Sequence, residues 1–314
     1  MELTTLLALF TTTGIIESAQ AACQDSADGF ASLNGGTTGG NGGTVVTVSS
    51  FDDLAEHAAS EGKYVIQVQG RIDVTPFGYE IPVGSDKTIV GLGSDGEIYQ
   101  GGFSLQSVRN VIIRNLKIGS TDDGSDEEND RDGLQSDTSS NIWIDHCLFE
   151  QGGDGLLDIR KDSTYFTVSN NIFRNHDKTF GIGWTDNVTA QGTIHHNWFD
   201  GTNQRNPSAD NLQYAHLYNN YLGGITSYGH YARGTTNMRL ENCYFADSKN
   251  PVQADEGATL TVTDSVFEGC TGSEGPDQGT AFDARDFYDY VLDAAADVPG
   301  VVQAGAGPGE SVCS

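Results

Sequence analysis

A repeat of 22 to 26 residues runs through most of this chain and constrains its fold more than any other feature of the sequence. Each copy contains an apolar alternation, two polar residues and then an apolar or aromatic pair, as in the stretch from Ile194 to Phe199. The fourth position of successive copies falls at Cys147, Asn171, Asn197, Asn220, Cys243 and Ser265. The steps between these positions are 24, 26, 23, 23 and 22 residues, and a weaker copy lies at 113–118.

The length of the repeat indicates the fold class. It is too short for a propeller blade or a helical-pair repeat, and the chain lacks the Leu-x-x-Leu-x-Leu skeleton of a leucine-rich horseshoe. Forty glycines and seven prolines, with 37% apolar residues, suit many short strands and tight turns. The sequence therefore predicts an all-β fold, a right-handed parallel β-helix, in which 314 residues form one elongated domain.

One short helix is predicted ahead of the repeats. Strands are expected at 45–48 and 64–68, and Ser50 between them is a suitable N-cap for a helix from Phe51 to about Ser60. Asp52 and Asp53 fall in its first turn, where acidic side chains are favourable. Such a helix would cap the apolar end that a repeat array leaves open.

The repeat also assigns roles to buried polar residues. Asn171, Asn197 and Asn220 should lie directly above one another, so that their amides hydrogen-bond along a ladder. Cys147 and Cys243 are four coils apart, about 19 Å, which is beyond disulfide reach. Both are expected to be buried free thiols, and any disulfide must come from Cys23, Cys270 and Cys313, whose pairing the sequence leaves open.

The N-terminus and the overall charge suggest a location outside the cell. An apolar run from Leu6 to Ile16 precedes Ala19-Gln20-Ala21, so we expect residues 1–21 to be a signal peptide and residues 22–314 the secreted domain. The run is too short to span a membrane. A net charge of -28 argues against binding to nucleic acid or to an anionic membrane, and Asn187 begins a glycosylation sequon.

Charged residues recur at one edge of consecutive coils. Asp154 lies seven residues beyond Cys147, Lys178 seven beyond Asn171, and Arg205 eight beyond Asn197. Asp132 lies about one coil before Asp154, and Asp158 can join these acids if the chain bends at Gly155. A cluster of carboxylates is costly without a cation, and Ca²⁺ accepts carboxylates in loose geometry. The sequence has no nearby histidine or cysteine spacing for zinc.

The same segments resemble the calcium-dependent pectate lyases, a family of β-helical polysaccharide lyases. The matching motifs are 143–146 (WIDH), 154–158 (DGLLD), 176–178 (HDK), 204–207 (QRNP) and 216–220 (HLYNN). Each motif alone is weak, but together, in this order and spacing, they are specific. The looser resemblance extends from about residue 29 to about residue 250.

The resemblance implies β-elimination of a uronate polymer such as polygalacturonate or pectin. It places Ca²⁺ on Asp132, Asp154 and Asp158, with Asp130 at a position that is an additional ligand in some relatives. It assigns Lys178 to binding the substrate carboxylate and Arg205 to the role of catalytic base. It implies no further cofactor, and we expect a monomeric enzyme.

One departure from the family pattern concerns substrate binding. Many relatives carry further arginines three and five residues after the catalytic arginine, whereas this chain has Ser208 and Asp210. An acid at that point would repel polygalacturonate, and Arg233 from the next coil is the expected replacement contact. Arg160 and Lys161 would add positive charge. The departure bears on substrate preference, including methylated or shorter pectin, more than on reaction type.

Two other functions remain open at this stage. A hydrolase of the polygalacturonase type would use paired acids, such as Asp154 and Asp158, as acid and base. A hydrolase mechanism would assign no role to Lys178 and Arg205. The chain also lacks the Gly-His-Gly and Arg-Ile-Lys sequences of such hydrolases. A non-catalytic polysaccharide-binding β-helix is the other alternative. Calcium-free pectin lyases are disfavoured because their site is expected to lack the three aspartates.

Overall fold

The computed structural model describes residues 26–124, 130–276 and 278–312 and consists mainly of a parallel β-helix of about ten turns. The strands form three parallel ladders, which we call ladders A, B and C, and each coil except the first and the last contributes one strand to each ladder. The repeat therefore predicted the fold correctly, because one copy corresponds to one coil. The proposed signal peptide, Cys23 and Cys313 lie outside the described residues.

Ladder A is a ten-stranded sheet in which neighbouring strands are one coil apart in the sequence. The strands Thr44–Val48 and Tyr64–Val68 match the two predicted at the start of the chain. The ladder consists of β1 Thr44–Val48, β2 Tyr64–Val68, β5 Lys87–Gly91, β8 Arg109–Arg114, β11 Ser140–Asp145, β14 Thr164–Ser169, β17 Gln191–His195, β20 Tyr214–Tyr218, β23 Asn237–Glu241 and β26 Thr259–Thr263.

Ladders B and C are formed by the remaining strands, and a single antiparallel pair, Gly101 with Gly119, joins them. Ladder B consists of β3 Arg71–Asp73, β6 Glu97–Tyr99, β9 Lys117–Gly119, β12 Leu148–Glu150, β15 Ile172–Arg174, β18 Trp198–Asp200, β21 Tyr221–Gly223, β24 Tyr244–Ala246 and β27 Val266–Glu268. Ladder C consists of β4 Tyr79–Pro82, β7 Gly101–Gln106, β10 Leu134–Asp137, β13 Gly155–Arg160, β16 Lys178–Gly183, β19 Ser208–Asp210, β22 His230–Arg233 and β25 Val252–Ala254.

The predicted capping helix is α1, Phe51–Ala59. Its N-cap is Ser50, whose hydroxyl accepts a hydrogen bond from the Asp53 backbone N–H at 3.3 Å. Leu54 and Ala58 are fully buried against the first coils, so the helix covers the end of the apolar core. Within the described residues, the other helices are α2, Val298–Gly305, and three short 3-10 turns at Gly29–Ser32, Ala284–Asp286 and Ala295–Asp297. No helix within the described ranges has the length and apolarity needed to cross a membrane.

The asparagine ladder forms as predicted. Asn171 and Asn197 each donate an amide hydrogen bond to the next asparagine, from Asn171 to Asn197 at 3.0 Å and from Asn197 to Asn220 at 3.1 Å. All three side chains are fully buried. Cys147 and Cys243 flank this ladder as buried free thiols, and burial raises the pKa of each to about 12. Cys270 is also a free thiol.

The residue before each ladder position turns the chain from ladder A into ladder B. His146, Asn170, His196, Asn219 and Asn242 occupy this position with φ between 48° and 53°. Asparagine tolerates left-handed backbone better than most residues, which explains why it recurs there. Directly after this turn, Phe149, Phe173 and Phe199 stack inside the core with ring centroids 5.3 and 5.0 Å apart.

Both ends of the described chain pack across the outer face of ladder A. The Phe30 backbone N–H donates to Thr193 Oγ1 at 2.9 Å, and the Tyr288 hydroxyl lies 2.7 Å from the same oxygen. Further along the tail, the Tyr290 hydroxyl donates to Glu241 at 2.6 Å. The two segments cover part of ladder A, whereas the predicted site residues lie on the outward face of ladder C.

Replacing Asn197 by alanine is expected to lower the free energy of unfolding by about 2–4 kcal/mol, because it leaves buried groups of Asn171 and Asn220 without partners. Denaturant unfolding measures this change. Asn41→Ala is the control, since Asn41 is exposed in a turn and its replacement should change stability by less than about 0.5 kcal/mol. Equal stability of the two variants would contradict a structural role for the ladder.

Candidate active site

The predicted site residues converge on the outward face of ladder C. Asp158 pairs with Gln135 on one side and with Gly181 on the other, and the row continues through Ser208 to Tyr231. Neighbouring strands in such a ladder are about 4.8 Å apart. Residues that are more than seventy positions apart in the sequence therefore line one short groove.

Three carboxylates meet at the start of this groove. Among the described residues, Asp130, Asp132 and Asp154 form a group of three whose oxygens lie within 4.8 Å of one another. Gln135 Nε2 holds two of them together, because it donates to Asp130 and to Asp132 at 3.2 Å each. Asp132 is fully buried, whereas Asp130 is exposed. An all-oxygen group of this kind can hold a hard cation such as Ca²⁺.

Gly155 keeps the space between the carboxylates open. A Cβ at this position would lie 2.6 Å from Asp132 Oδ1 and 3.5 Å from Asp158 Oδ1. The Gly155 backbone N–H also donates to Asp132 Oδ1 at 2.7 Å. The sequence interpretation gave this glycine a role in bending the chain, but the structure shows that it provides space between two acids.

Asp158 lies beside this group and is not one of its three members. It is buried on β13, and its Oδ1 accepts from the Gly181 backbone N–H at 3.2 Å. Burial, and then the charge of Asp132, raise its pKa well above the ordinary value. Burial and the charge of Asp130 likewise raise the pKa of Asp132 to about 7. The site thus concentrates negative charge in a place with little water.

Glu80 is a further acid beside this group, and the sequence analysis missed it. Its Oε1 accepts from the Asp132 backbone N–H at 3.3 Å, and burial together with the charge of Asp132 raises its pKa to about 8. Glu80 lies on β4, two strands of ladder C before Asp132. The insertion at 121–131 interrupts the repeat between them, so no spacing in the sequence connected the two residues.

Lys178 brings a positive charge to the acids. Its ammonium group forms an ion pair with Asp154, and both side chains are half-buried. In the ladder, however, Lys178 pairs with Gly155 and with Gln204, not with Asp154 and Arg205 as the counting from the repeat suggested. The contact with Asp154 forms across this one-residue offset, because the lysine side chain is long enough to reach it.

Arg205 lies one coil further along the groove, in a tight turn. Its φ is 58°, and a cis peptide bond joins Asn206 to Pro207 directly after it. The guanidinium lies 5.3 Å from the centre of the Trp184 ring, and its charge opposes the upward pKa shift of Asp158. Arg205 is therefore close both to the acids and to Trp184. The sequence analysis did not identify Trp184 as part of the site.

A buried histidine supports the turn that carries Arg205. The imidazole of His230 is hydrogen-bonded through Nδ1 to the carbonyl oxygen of Asn206 and is enclosed by the rings of Phe199 and Phe245. Burial lowers its pKa to about 3. The neutral imidazole thus donates to the backbone of the turn and fixes its position from inside the β-helix.

The remaining predicted cations occupy different surroundings. Arg160 binds Asp137 at 2.9 Å and Asp130 at 3.2 Å, and Lys161 also binds Asp137. Arg233 is exposed on β22, directly opposite Asp210 in the ladder and 5.5 Å from the Tyr231 ring centre. Arg160 and Lys161 are thus engaged by acids, whereas Arg233 faces the far part of the groove.

Comparison with known proteins agrees with this geometry. The family model described as pectate lyase matches residues 3–292. A pectate trisaccharide-lyase of Thermotoga maritima is 35% identical, in an alignment that covers 98% of this chain and 95% of the relative. A pectate trisaccharide-lyase of Bacillus licheniformis is 33% identical, with 91% of this chain and 87% of the relative covered.

Solved structures show the same fold. The crystal structure of a pectate lyase from Bacillus sp. N165 in complex with trigalacturonate matches with a TM-score of 0.80 at 28% identity, covering 90% of this chain and 99% of that one. Pectate lyase II from Xanthomonas campestris matches with a TM-score of 0.76 at 25% identity, covering 92% and 100%.

Gly155→Ala should weaken binding of Ca²⁺ alone at least about tenfold, because the added Cβ would press on Asp132 Oδ1. Isothermal titration with Ca²⁺ measures the dissociation constant. Gly300→Ala is the matched control, since a Cβ on Gly300 in α2 meets nothing within 4 Å. Unchanged Ca²⁺ affinity in Gly155→Ala would show that the acidic group is not the cation site.

His230 should make the fold sensitive to acid. Its pKa is about 3 when folded and 6.5 in an unperturbed chain, so between these values the unfolded state binds a proton that the folded state excludes. This residue then removes up to about 1.4 kcal/mol of stability per pH unit as the pH falls from 6.5 towards 3. Unfolding free energies of His230→Gln should show a correspondingly shallower pH slope, whereas His57→Gln on α1 should retain the wild-type slope. Identical slopes for all three proteins would refute this assignment.

Proposed function

The chain belongs to the pectate lyase family and is a polysaccharide lyase, and from this premise we propose that it cleaves the (1,4)-α-D-galacturonan chain of pectate by calcium-assisted β-elimination. The products would be 4,5-unsaturated oligogalacturonides. The observation that carries the proposal is the single groove in which an acidic group, Lys178 and Arg205 follow one another within consecutive coils. Such an arrangement suits an anionic polymer bridged by a cation.

The residues present fit a calcium ion. Asp130, Asp132 and Asp154 supply only oxygen donors, and Asp158 lies next to them as the fourth candidate ligand. The raised pKa values of Asp132 and Asp158 support this proposal, because burial and neighbouring acids disfavour the charged form of each carboxyl group and a cation would favour it. When bound, Ca²⁺ would withdraw electron density from the substrate carboxylate and so make the proton on C5 more acidic.

Lys178 would bind and orient the same carboxylate. Its ammonium group is held at the acidic group by Asp154 and is half-exposed towards the groove. A cation at that place adds to the stabilisation of the negative charge that develops when the C5 proton leaves. It also fixes the uronate ring relative to Arg205, which the next coil contributes.

Arg205 would remove the C5 proton through a guanidine nitrogen. A guanidinium has no acceptor until it loses a proton, so this step is favoured by alkaline conditions. The turn that carries Arg205 is rigid, because Phe180 donates a backbone hydrogen bond to the Arg205 carbonyl and His230 holds the next residue. The base is thereby kept in a defined position, and no side chain within the described ranges forms a hydrogen bond or ion pair with its nitrogen atoms.

Arg205→Ala should reduce kcat/KM at least about a thousandfold while the fold is retained, because proton transfer by a positioned group contributes about 10²–10⁴ in rate. The assay follows ultraviolet absorbance of the unsaturated product formed from polygalacturonate in the presence of Ca²⁺. Arg174→Ala is the matched control, since Arg174 also lies over a tryptophan, Trp198, but on the outer face of ladder B. Full activity of Arg205→Ala would reject the base assignment.

The same assay separates the alternatives. Removal of Ca²⁺ with a chelator should abolish product formation, and added Ca²⁺ should restore it. New reducing ends without ultraviolet absorbance would establish a hydrolase of the polygalacturonase type. Substrate binding with neither signal would establish a non-catalytic polysaccharide-binding protein.

We also propose that the mature protein is a secreted monomer that begins after Ala21. The support is the apolar run and small-residue site at 6–21, together with a net charge of -28 that favours solubility. Asn187 is exposed, as a glycosylation site must be. N-terminal sequencing of the protein from a culture medium tests secretion and cleavage after Ala21. Measurement of its hydrodynamic size tests whether it is a monomer.

A further inference from the structure

Trp184 is an exposed aromatic residue that the proposed chemistry does not use. It follows β16 directly, has φ of 53° and leaves 47% of its surface accessible. The turn after most ladder C strands imposes this left-handed backbone, because Thr138, Lys161 and Asn211 follow the neighbouring strands with φ of 52°, 50° and 57°. The turn therefore does not require a tryptophan, and an exposed indole adds little to the buried core, so a role outside the core is indicated.

The indole is placed over the centre of the groove. A Cβ on Gly181 would collide with Trp184 Cη2 and would lie 2.7 Å from Asp158 Oδ1. The benzene edge of the indole thus rests on Gly181, next to the acids. Arg205 lies 5.3 Å from the ring centre on the same tryptophan. Trp184 therefore stands at the point where the acidic group and the proposed base meet.

We propose that Trp184 determines substrate affinity by providing the surface on which one galacturonate ring of the polymer packs, at the subsite beside Arg205. This inference rests on the proposed function. The C–H groups of a sugar ring carry partial positive charge and suit the negative face of an indole. A ring held there would have its carboxylate near the acidic group that binds the cation and its C5 near Arg205.

The surroundings of Trp184 favour a sugar over an ionic ligand. Gly181, on which the indole rests, pairs in the ladder with Ser208, a small side chain, and Ser208 pairs with Tyr231. The extra arginines of many relatives are absent at 208 and 210. Apolar stacking would therefore supply part of the substrate-binding affinity at this end of the groove. Such binding should depend weakly on salt, because it does not rely on charge.

Binding to a catalytically inactive background tests the proposal. Arg205→Ala removes both turnover and the cation that stacks on the indole, so any further effect of Trp184 must come from its contact with substrate. Titration of Arg205→Ala with hexagalacturonate and Ca²⁺ gives the reference dissociation constant. Adding Trp184→Ala should raise that constant about tenfold at both low and high ionic strength, while adding Trp184→Phe, which keeps an aromatic face, should raise it less than about threefold.

Trp198→Ala in the same background is the matched control. Trp198 also lies beside an arginine, Arg174, but on ladder B, and its removal should leave the dissociation constant unchanged. Equal affinity of Arg205→Ala with and without Trp184→Ala would overturn the proposal while leaving the function intact. Absence of hexagalacturonate binding in every variant and in wild type would overturn the proposed function and this inference with it.

Discussion

Backbone hydrogen bonding between strands one coil apart is the constraint on which the rest of this structure depends. Each ladder residue must pair with a residue about 23 positions later, so any change in coil length has to occur in a turn. The coil between Leu116 and Cys147 is 31 residues long, and its extra residues fall between β9 and β10 in the sequence. Asp130 and Asp132, at the end of this insertion, belong to the acidic group. Because the flanking strands must keep their pairing, the end of the insertion is placed beside ladder C, where it contributes to the site.

Backbone hydrogen bonds from the ladder and neighbouring cations together offset part of the unfavourable free energy of placing these carboxylates close together. Glu80, Asp130, Asp132, Asp154 and Asp158 approach one another closely, and burial alone would make their charged forms unfavourable. Lys178 pairs with Asp154, and Arg160 pairs with Asp130, but the most buried acids still have raised pKa values. The backbone N–H groups of Gly155 and Gly181 add hydrogen bonds to Asp132 and Asp158. The fold thus holds in place buried acids whose charge a bound proton or a cation would balance.

The sequence predicted the scaffold well because its rules are periodic. The repeat, the asparagine ladder, the Ser50 cap and the two buried cysteines all follow from spacing and side-chain chemistry. It predicted less about the site, where periodicity fails. The counting placed Asp154, Lys178 and Arg205 in one row, yet the left-handed turn at Arg205 and the offset at Gly155 shift them by one residue. The sequence analysis missed Glu80 because the insertion at 121–131 interrupts the spacing that relates Glu80 to Asp132. It missed Trp184 because no sequence pattern indicates that the indole packs over Gly181.

Asp210 shows how the structure changes the meaning of a sequence departure. Viewed in the sequence, an acid where many relatives have arginine predicts repulsion of a polyanionic substrate. In the structure, Asp210 pairs with Arg233 across adjacent strands, and burial raises its pKa while the arginine acts in the opposite direction. Arg233 thus offsets part of the negative charge of Asp210, while Asp255 and Asp186 add negative charge of their own to this part of the groove. Binding there must then rely on shape and aromatic contact, supplied by Tyr231, more than on attraction between charges.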